Sequence, residues 1–382
     1  VQDGQQTPLG PSAESRGIGS GWISGVLSIV LGALGVGGVL CFHYPELLTT
    51  PQVREAIPLP YLRGLLQFVL TSAFALGLIS VLLWRNRGLG VIGVLLATVA
   101  VLLGGATIPE RSVAQSHYVG LDWFLLNLFV LALVFVPMER LFPQWKEQRT
   151  FRRGWQTDLA HFFVSHLLVQ VSVYLALLPA AVFFSWAVNA GFQRTVAGQP
   201  LLLQFVEILL LSDVCEYWVH RLMHRIPFLW RFHAVHHSCE HMDWLAASRL
   251  HLVDIVIIRA VTFVPLFICG FAPGAIFAYL VFVSFHAIFI HANFGFRFGW
   301  FDWVLATPRF HHWHHSAEAQ AIDKNFAVHL PLLDRMFGTL LLPPRGEWPQ
   351  TYGIAGNPIP ERFLVHAAYP FAPHRFEKKE AE

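Results

Sequence analysis

Between residues 20 and 290 the chain is dominated by apolar runs long enough to cross the roughly 30 Å of hydrocarbon in a bilayer. They fall near residues 20–41, 65–84, 88–108, 121–138, 159–187 and 200–218, followed by one long stretch from 253 to 290. Inside that last stretch, "ICGFAPGA" (268–275) places two glycines and a proline where a chain can reverse, so it reads as a hairpin of two helices. About eight spans are expected. A backbone in lipid must satisfy its own hydrogen bonds, and runs of this length do so as helices, giving an all-α integral membrane protein.

Composition agrees. Of 382 residues, 55% are hydrophobic and only 13% charged, against about 25% charged in soluble domains. A net charge of +2 leaves no basic excess to suggest a nucleic-acid partner. Cys41, Cys215, Cys239 and Cys269 are far apart and form no Cys-x-x-Cys pair, which leaves no thiolate metal site or redox disulfide motif.

The organisation follows from where polarity returns. Residues 1–18 are polar and rich in Gly, Pro and Ser, as in a disordered tail, and lack the basic start and short apolar core of a cleavable signal. Residues 19–138 read as a four-helix membrane region of unknown role, 139–342 as the functional domain and 343–382 as a C-terminal cytoplasmic tail. The segment 138–156 holds Arg140, Lys146, Arg149, Arg152 and Arg153, which makes it cytoplasmic by the positive-inside rule. Counting spans in both directions then puts every histidine cluster on the cytoplasmic side, as a cap over the membrane helices. The final "EKKEAE" lacks the paired lysines of an ER-retrieval signal, which favours a bacterial inner membrane over the ER.

Histidine is the concentrated resource. Of the 20 histidines, 14 lie between His220 and His329. "HRLMH" carries His220 and His224; "HAVHH" carries His233, His236 and His237; "HHWHH" carries His311, His314 and His315 in the same H-x-x-H-H spacing, with His312 beside them. Positions i, i+3 and i+4 share a helix face, so each stretch aims two or three imidazoles at one point. Imidazole without thiolate suits iron, zinc, copper or nickel and excludes Mg and Ca. Eight ligands exceed what one metal takes, so two metals are implied. Isolated histidines such as His43, His117, His366 and His374 read as ordinary polar groups. Asp213 and Glu216 precede His220 by seven and four residues, on its helix face, where each can accept a hydrogen bond from a ligand's other ring nitrogen. Arg249, His251 and Asp254 of "SRLHLVD" read as a structural ion-pair group, with His251 also a candidate to support the site.

The pattern H-x-x-x-H, H-x-x-H-H, H-x-x-H-H resembles the fatty acid hydroxylase and sterol desaturase superfamily of membrane di-iron oxygenases. The resemblance covers about residues 155–342 and extends to "DVCEYWVHRLMHRIPFLWRFHAVHHS", "HANFGFRFGWFDWVLATPRFHHWHHS" and "DKNFAVHLPLLDRMFGT". It implies His220, His224, His233, His236, His237, His311, His314 and His315 as ligands of two iron ions, with His291 of "HAN" as a further one. His286 sits five residues before His291, about 140° away on a regular helix, so the two can share a site only if the helix ends between them. His312 and His329 are candidates to support the site, and His312 and His286 are kept as further candidate ligands. The implied activity is hydroxylation or desaturation of a lipid C–H bond with O2, the acyl chain or sterol lying in a dry apolar channel.

Electrons must come from a partner, because the chain has no Rossmann glycine motif, flavin signature or haem-domain motif. The basic 140–153 loop offers a dock for an acidic carrier of ferredoxin or cytochrome b5 type. The main competing reading is a membrane haem or metal-binding electron carrier without oxygenase activity, but bis-histidine haem needs isolated histidines facing each other across spans. A zinc hydrolase would carry H-E-x-x-H or a nucleophile elbow, and neither is present. A metal transporter would place its ligands near the midplane.

Overall fold

The computed structural model describes residues 19–109, 118–167, 180–343, 347–356 and 359–376, together with residues 175 and 178. Among them the chain is helical, and the sole strand-like pairing is a bridge between Ser316 and Tyr352. It divides into two compact units, Val1–Phe129 and Val130–Glu382.

The first unit is built on α1 (Trp22–His43), α2 (Leu59–Leu82) and α3 (Arg87–Leu102). Small residues let these helices approach closely, the usual way apolar helices associate in lipid. A Cβ at Gly90 would collide with the Gly77 carbonyl, and one at Gly93 with Ser28. Ser28 Oγ donates to Ala73 O at 2.6 Å and Ser80 Oγ to Gly21 O at 2.7 Å, so the hydroxyls between these helices are satisfied. The next long helix, α4 (Leu121–Leu141), carries Asp122 in its first turn, whose carboxylate accepts Thr50 N–H at 2.9 and 3.0 Å.

The second unit continues with α5 (Trp155–Leu167), the short α6 (Ala190–Ala197), α7 (Leu201–Arg225), α8 (Pro227–His237), α9 (Leu252–Cys269), α10 (Pro273–His291), α11 (Pro308–His314) and α12 (Pro331–Phe337). α7 packs against both α9 and α10. The α9–α10 hairpin turns at Gly270 (φ 68°), inside the expected "ICGFAPGA". Two glutamines satisfy its exposed backbone: Gln193 Nε2 donates to Phe267 O at 2.9 Å, and Ala272 N–H donates to Gln204 Oε1 at 2.8 Å. Proline at the first position of α8 breaks the histidine-bearing segment from α7 and turns it back over the helix end. A cluster of Tyr217, Ile290, Ala306, Phe310, Phe326 and Leu333 ties α7, α10, α11 and α12 together beside the histidines.

Six helices among the described residues are long and apolar enough to cross a membrane, or seven if α6 and α7, bent by 117°, count as one. Eight were expected. The expected span at 159–187 falls partly on residues outside those described. That at 200–218 is weakened by Glu207, Asp213 and Glu216, which interrupt its apolar run.

The basic loop is not uniform. Arg149 and Arg153 are exposed, but Arg152 is buried, with Nη2 2.6 Å from Asp158 Oδ2 and 2.8 Å from Asp243 Oδ1. Arg249, fully buried, reaches the other Asp158 oxygen and Glu361. Arg152 is therefore a structural cation that no partner can reach, and the sequence reading of it as part of a docking surface is corrected.

Candidate metal centre

Nine histidines converge at the ends of four helices. α7 contributes His220 and His224, α8 His233, His236 and His237, the last residue of α10 is His291, and α11 with its C-cap supplies His311, His314 and His315. All are buried except His224, which is partly buried. They form two groups within which one nitrogen of each ring lies within 4.8 Å of the others: His220, His224, His233, His237 and His314; and His236, His291, His311 and His315.

The helical period explains the division. Each i, i+4 pair (220/224, 233/237, 311/315) points into one group, while the i+3 residue of each H-x-x-H-H stretch, His236 or His314, points into the other. The two H-x-x-H-H stretches are thus shared between two centres, and neither aims at a single point as the spacing alone suggested. Ring contacts run across the boundary, with His237 and His315 stacked at 4.5 Å between centroids.

Hydrogen bonding fixes which nitrogen is free. In the five-histidine group, His220 Nδ1 donates to Phe326 O at 2.7 Å and His314 Nδ1 to Lys324 O at 2.8 Å, while His233 Nδ1 is 2.9 Å from Asp254 Oδ2. A carbonyl only accepts, so these rings carry their proton on Nδ1 and expose a lone pair on Nε2. Nε2 of His220, His224, His233, His237 and His314 is buried and has no protein partner. Each such orphan costs about 1–3 kcal/mol, and five facing one point could hold a metal ion.

The four-histidine group gives the same answer by another route. His236 Nδ1 donates to Arg249 O at 3.1 Å and His291 Nδ1 to Ala287 O at 2.6 Å, yet their Nε2 atoms, both bare, lie 3.3 Å apart. His311 Nε2 is 3.1 Å from His291 Nε2 and 3.1 Å from His315 Nε2. The bare lone pairs of His236 and His291 repel at 3.3 Å unless a cation lies between them. Protons do not serve: burial, and next the neighbouring imidazoles, hold His236, His237, His311 and His315 well below the ordinary histidine value of 6.5. Burial likewise lowers His314 to about 3. Neutral, desolvated imidazoles with converging lone pairs fit a transition metal in each group.

The other candidates lie outside both groups. His312 accepts from Tyr352 OH at 2.9 Å through Nδ1 and donates Nε2–H to His291 O and Ala292 O at 3.2 and 3.1 Å, bracing the backbone that presents His291. His286 donates Nε2–H to Ala306 O at 2.9 Å, and its Nδ1 meets His329 Nδ1 at 3.0 Å. α10 stays helical through to His291, so the two histidines point apart. His251 caps α9, accepting Val253 N–H at 3.1 Å. Asp213 accepts the backbone N–H groups of Val328, His329 and Leu330 at 2.7–3.1 Å, and Glu216 lies near Arg259 of α9; neither carboxylate bonds a clustered histidine. Asp254 is the carboxylate that does; the structural ion-pair reading of the "SRLHLVD" group holds for Arg249, which pairs with Asp158 and Glu361, and is corrected for Asp254, which meets His233. Nothing in the spacing of Asp254 from His233 marks the pair, because a loop of irregular backbone lies between them.

The sequence model of fatty acid hydroxylases matches residues 205–339, which contain every clustered histidine. The ornithine lipid hydroxylase OlsE of Rhizobium tropici is 30% identical over 261 residues, 65% of this chain and 76% of that protein. An alkylglycerol monooxygenase of Xenopus tropicalis is 32% identical over 130 residues, 34% of this chain and 28% of its own length. Methylsterol monooxygenase 1-3 of Arabidopsis thaliana is 30% identical over 146 residues, 36% of this chain and 48% of its own length. No solved structure matches. The chain belongs to the fatty acid hydroxylase family.

Proposed function

We propose that this chain is a membrane-bound di-iron oxygenase that uses O2 and electrons from an external donor to hydroxylate, or desaturate, a C–H bond of a lipid. The observation that carries the reading is the convergence of nine neutral histidine nitrogens in two adjoining groups, each wanting a cation. Iron bound there supplies the O2 activation and C–H oxidation that side chains alone cannot perform.

The chain's own residues set the conditions for it. His220, His224, His233, His237 and His314 hold one ion and His236, His291, His311 and His315 the other. Asp254 and the carbonyls of Lys324, Phe326 and Arg249 lock the rings in the tautomer that leaves Nε2 free. Burial keeps bulk water from the centre, which protects an oxidising site from wasteful turnover. His286, His312, His251, Asp213 and Glu216 take no part in ligation on this reading.

The substrate is a lipid, and the family relatives named above suggest ornithine lipids, alkylglycerols and methylsterols as the first to test. We place the centre on the cytoplasmic side, following the cationic 138–156 segment. A bacterial inner membrane is favoured because the relative matched over 76% of its length is bacterial. Arg149 and Arg153 remain exposed and available to a ferredoxin or cytochrome b5 type donor.

The test is turnover of purified, iron-loaded protein with a chemical or protein reductant, 18O2 and those three lipid classes. A lipid product carrying one 18O atom, absent without reductant, is expected for hydroxylation, and an unlabelled product two hydrogens lighter for desaturation. Neither product from any lipid, with both irons in place, would contradict the oxygenase reading.

A further inference from the structure

Three of the five histidines in the first group lean on one short loop. His224 Nδ1 lies 3.8 Å from Asp323 Oδ1, His314 Nδ1 donates to Lys324 O and His220 Nδ1 donates to Phe326 O. The loop reaches all three because its backbone is turned twice through the left-handed region, with φ of 58° at Asp323 and 56° at Asn325. Side chains other than glycine keep that conformation only where the surroundings hold it, and Asp and Asn tolerate it best.

What holds it is a set of buried polar side chains. Asn325, fully buried, donates to Phe310 O and Leu341 O at 2.9 Å each and accepts Leu341 N–H at 2.7 Å. Asp334, also fully buried, accepts Phe326 N–H on one oxygen and Ala327 N–H on the other, both at 2.8 Å. Thr339 Oγ donates to Asp334 at 2.6 Å, and Tyr217, one turn before His220 on α7, meets Thr339 Oγ at 3.0 Å. Chains of this kind run from a carboxylate or amide, through one peptide unit, to a histidine. The four-histidine group has different supports among the described residues: its outer acceptors are Arg249 O, on a residue locked by Asp158 and Glu361, and Ala287 O; His312 braces the backbone of His291; and Nδ1 of His311 and His315 is without a partner, so none of its ties passes through the 323–327 loop.

We propose that Asp334 and Asn325 are positioning residues for one of the two metals only: they lock the 323–327 loop so that its carbonyls hold His220 and His314 with Nε2 aimed at the five-histidine centre. The inference rests on the di-metal reading and adds an asymmetry to it. The two centres differ in outer support, and disturbing the loop empties one while sparing the other. A merely structural role would weaken both together, since α7, α8 and α11 carry ligands of both groups or pack on those that do.

The test is titration of the metal-free full chain in detergent with Co(II), whose absorption in tetrahedral or five-coordinate imidazole sites reports each equivalent. Wild type should take two. In Asp334→Asn one equivalent should weaken, by less than the roughly 10–100-fold that losing a ligand's direct outer partner costs, while the other keeps its affinity. Asn325→Gly, which retains the backbone angle but deletes the side-chain bonds, should do the same and serves if Asp334→Asn does not fold. Placed on a His220→Ala background, where only the four-histidine centre is intact, either change should alter nothing. Equal weakening of both equivalents, or of neither, overturns the inference and leaves the di-metal reading standing. A wild-type chain that takes no Co(II) overturns the di-metal reading itself, and this inference with it.

Discussion

His233 and Asp254 form a buried pair, Nδ1 to Oδ2 at 2.9 Å, that joins the middle of α8 to the first turn of α9. Such a carboxylate raises the basicity of the ring's other nitrogen and fixes where it points. Asp254→Ala should therefore reduce metal affinity in the five-histidine centre by about 10–100-fold, and His251→Gln, three residues away and engaged in capping α9, should leave it unchanged. Competition with a calibrated chelator measures both. Equal effects from the two variants would assign Asp254 a role in α9 rather than in the centre.

His312 makes a contrasting prediction, because it is fully buried among ligands and yet faces away from both groups. His312→Gln retains a donor toward the carbonyls of His291 and Ala292. It should keep the full complement of metal and lose less than about tenfold in rate, whereas His311→Ala, which removes a ligand, should lose about a hundredfold or more. Parallel metal analysis and turnover distinguish them.

Metal removal should expose a pH dependence of folding. His312 and His314 titrate near 6.5 when unfolded but are lowered by burial to about 3 in the fold. Between those values the unfolded chain binds more protons, so stability falls as pH drops from 6.5 toward 3 and is insensitive to these groups above 6.5. The apoprotein should lose melting temperature steadily below pH 6.5 in a thermal scan, and the metal-loaded protein should resist until protons displace the metal. An apoprotein equally stable at pH 7.5 and pH 5 would contradict the neutral, buried state of these rings.

The arginines of the 138–156 segment divide into two kinds of prediction. Arg152→Ala leaves buried Asp243 without its cation and Asp158 with Arg249 alone, and should destabilise the protein by about 3–5 kcal/mol. Arg149→Glu with Arg153→Glu touches only exposed side chains and should leave the melting temperature alone while slowing reduction by an acidic donor at low salt. An unchanged, salt-independent reduction rate would remove this surface from donor docking.

Sequence spacing carried the site far but not to its end. The i, i+4 repeats at 220/224, 233/237 and 311/315 are legible because a helix converts spacing directly into direction, and the apolar runs and the "ICGFAPGA" turn are legible for the same local reason. That the i+3 residue His236 turns to a second group was not, since a helix period separates its direction from that of His233 and His237 but only the packing of α8 on α10 and α11 supplies the other histidines of that group. Partners distant in sequence were also hidden: the bond of Asp254 to His233, and the bond of Asp334 to the Ala327 N–H of the peptide whose carbonyl accepts from His220, are made by tertiary packing alone. Asp213 illustrates the reverse error. Its position on the His220 face suggested a bond to a ligand, but three backbone N–H groups of the 328–330 segment claim the carboxylate first.

The most direct test of the central claim is iron content per chain, with Mössbauer spectra, on protein produced with labelled iron beside a variant carrying His314→Ala and His315→Ala, which removes one ligand from each group. The account predicts close to two irons per chain in non-haem, nitrogen-rich sites, and their loss in the variant. One haem per chain, or no transition metal after anaerobic reconstitution with iron, would contradict it.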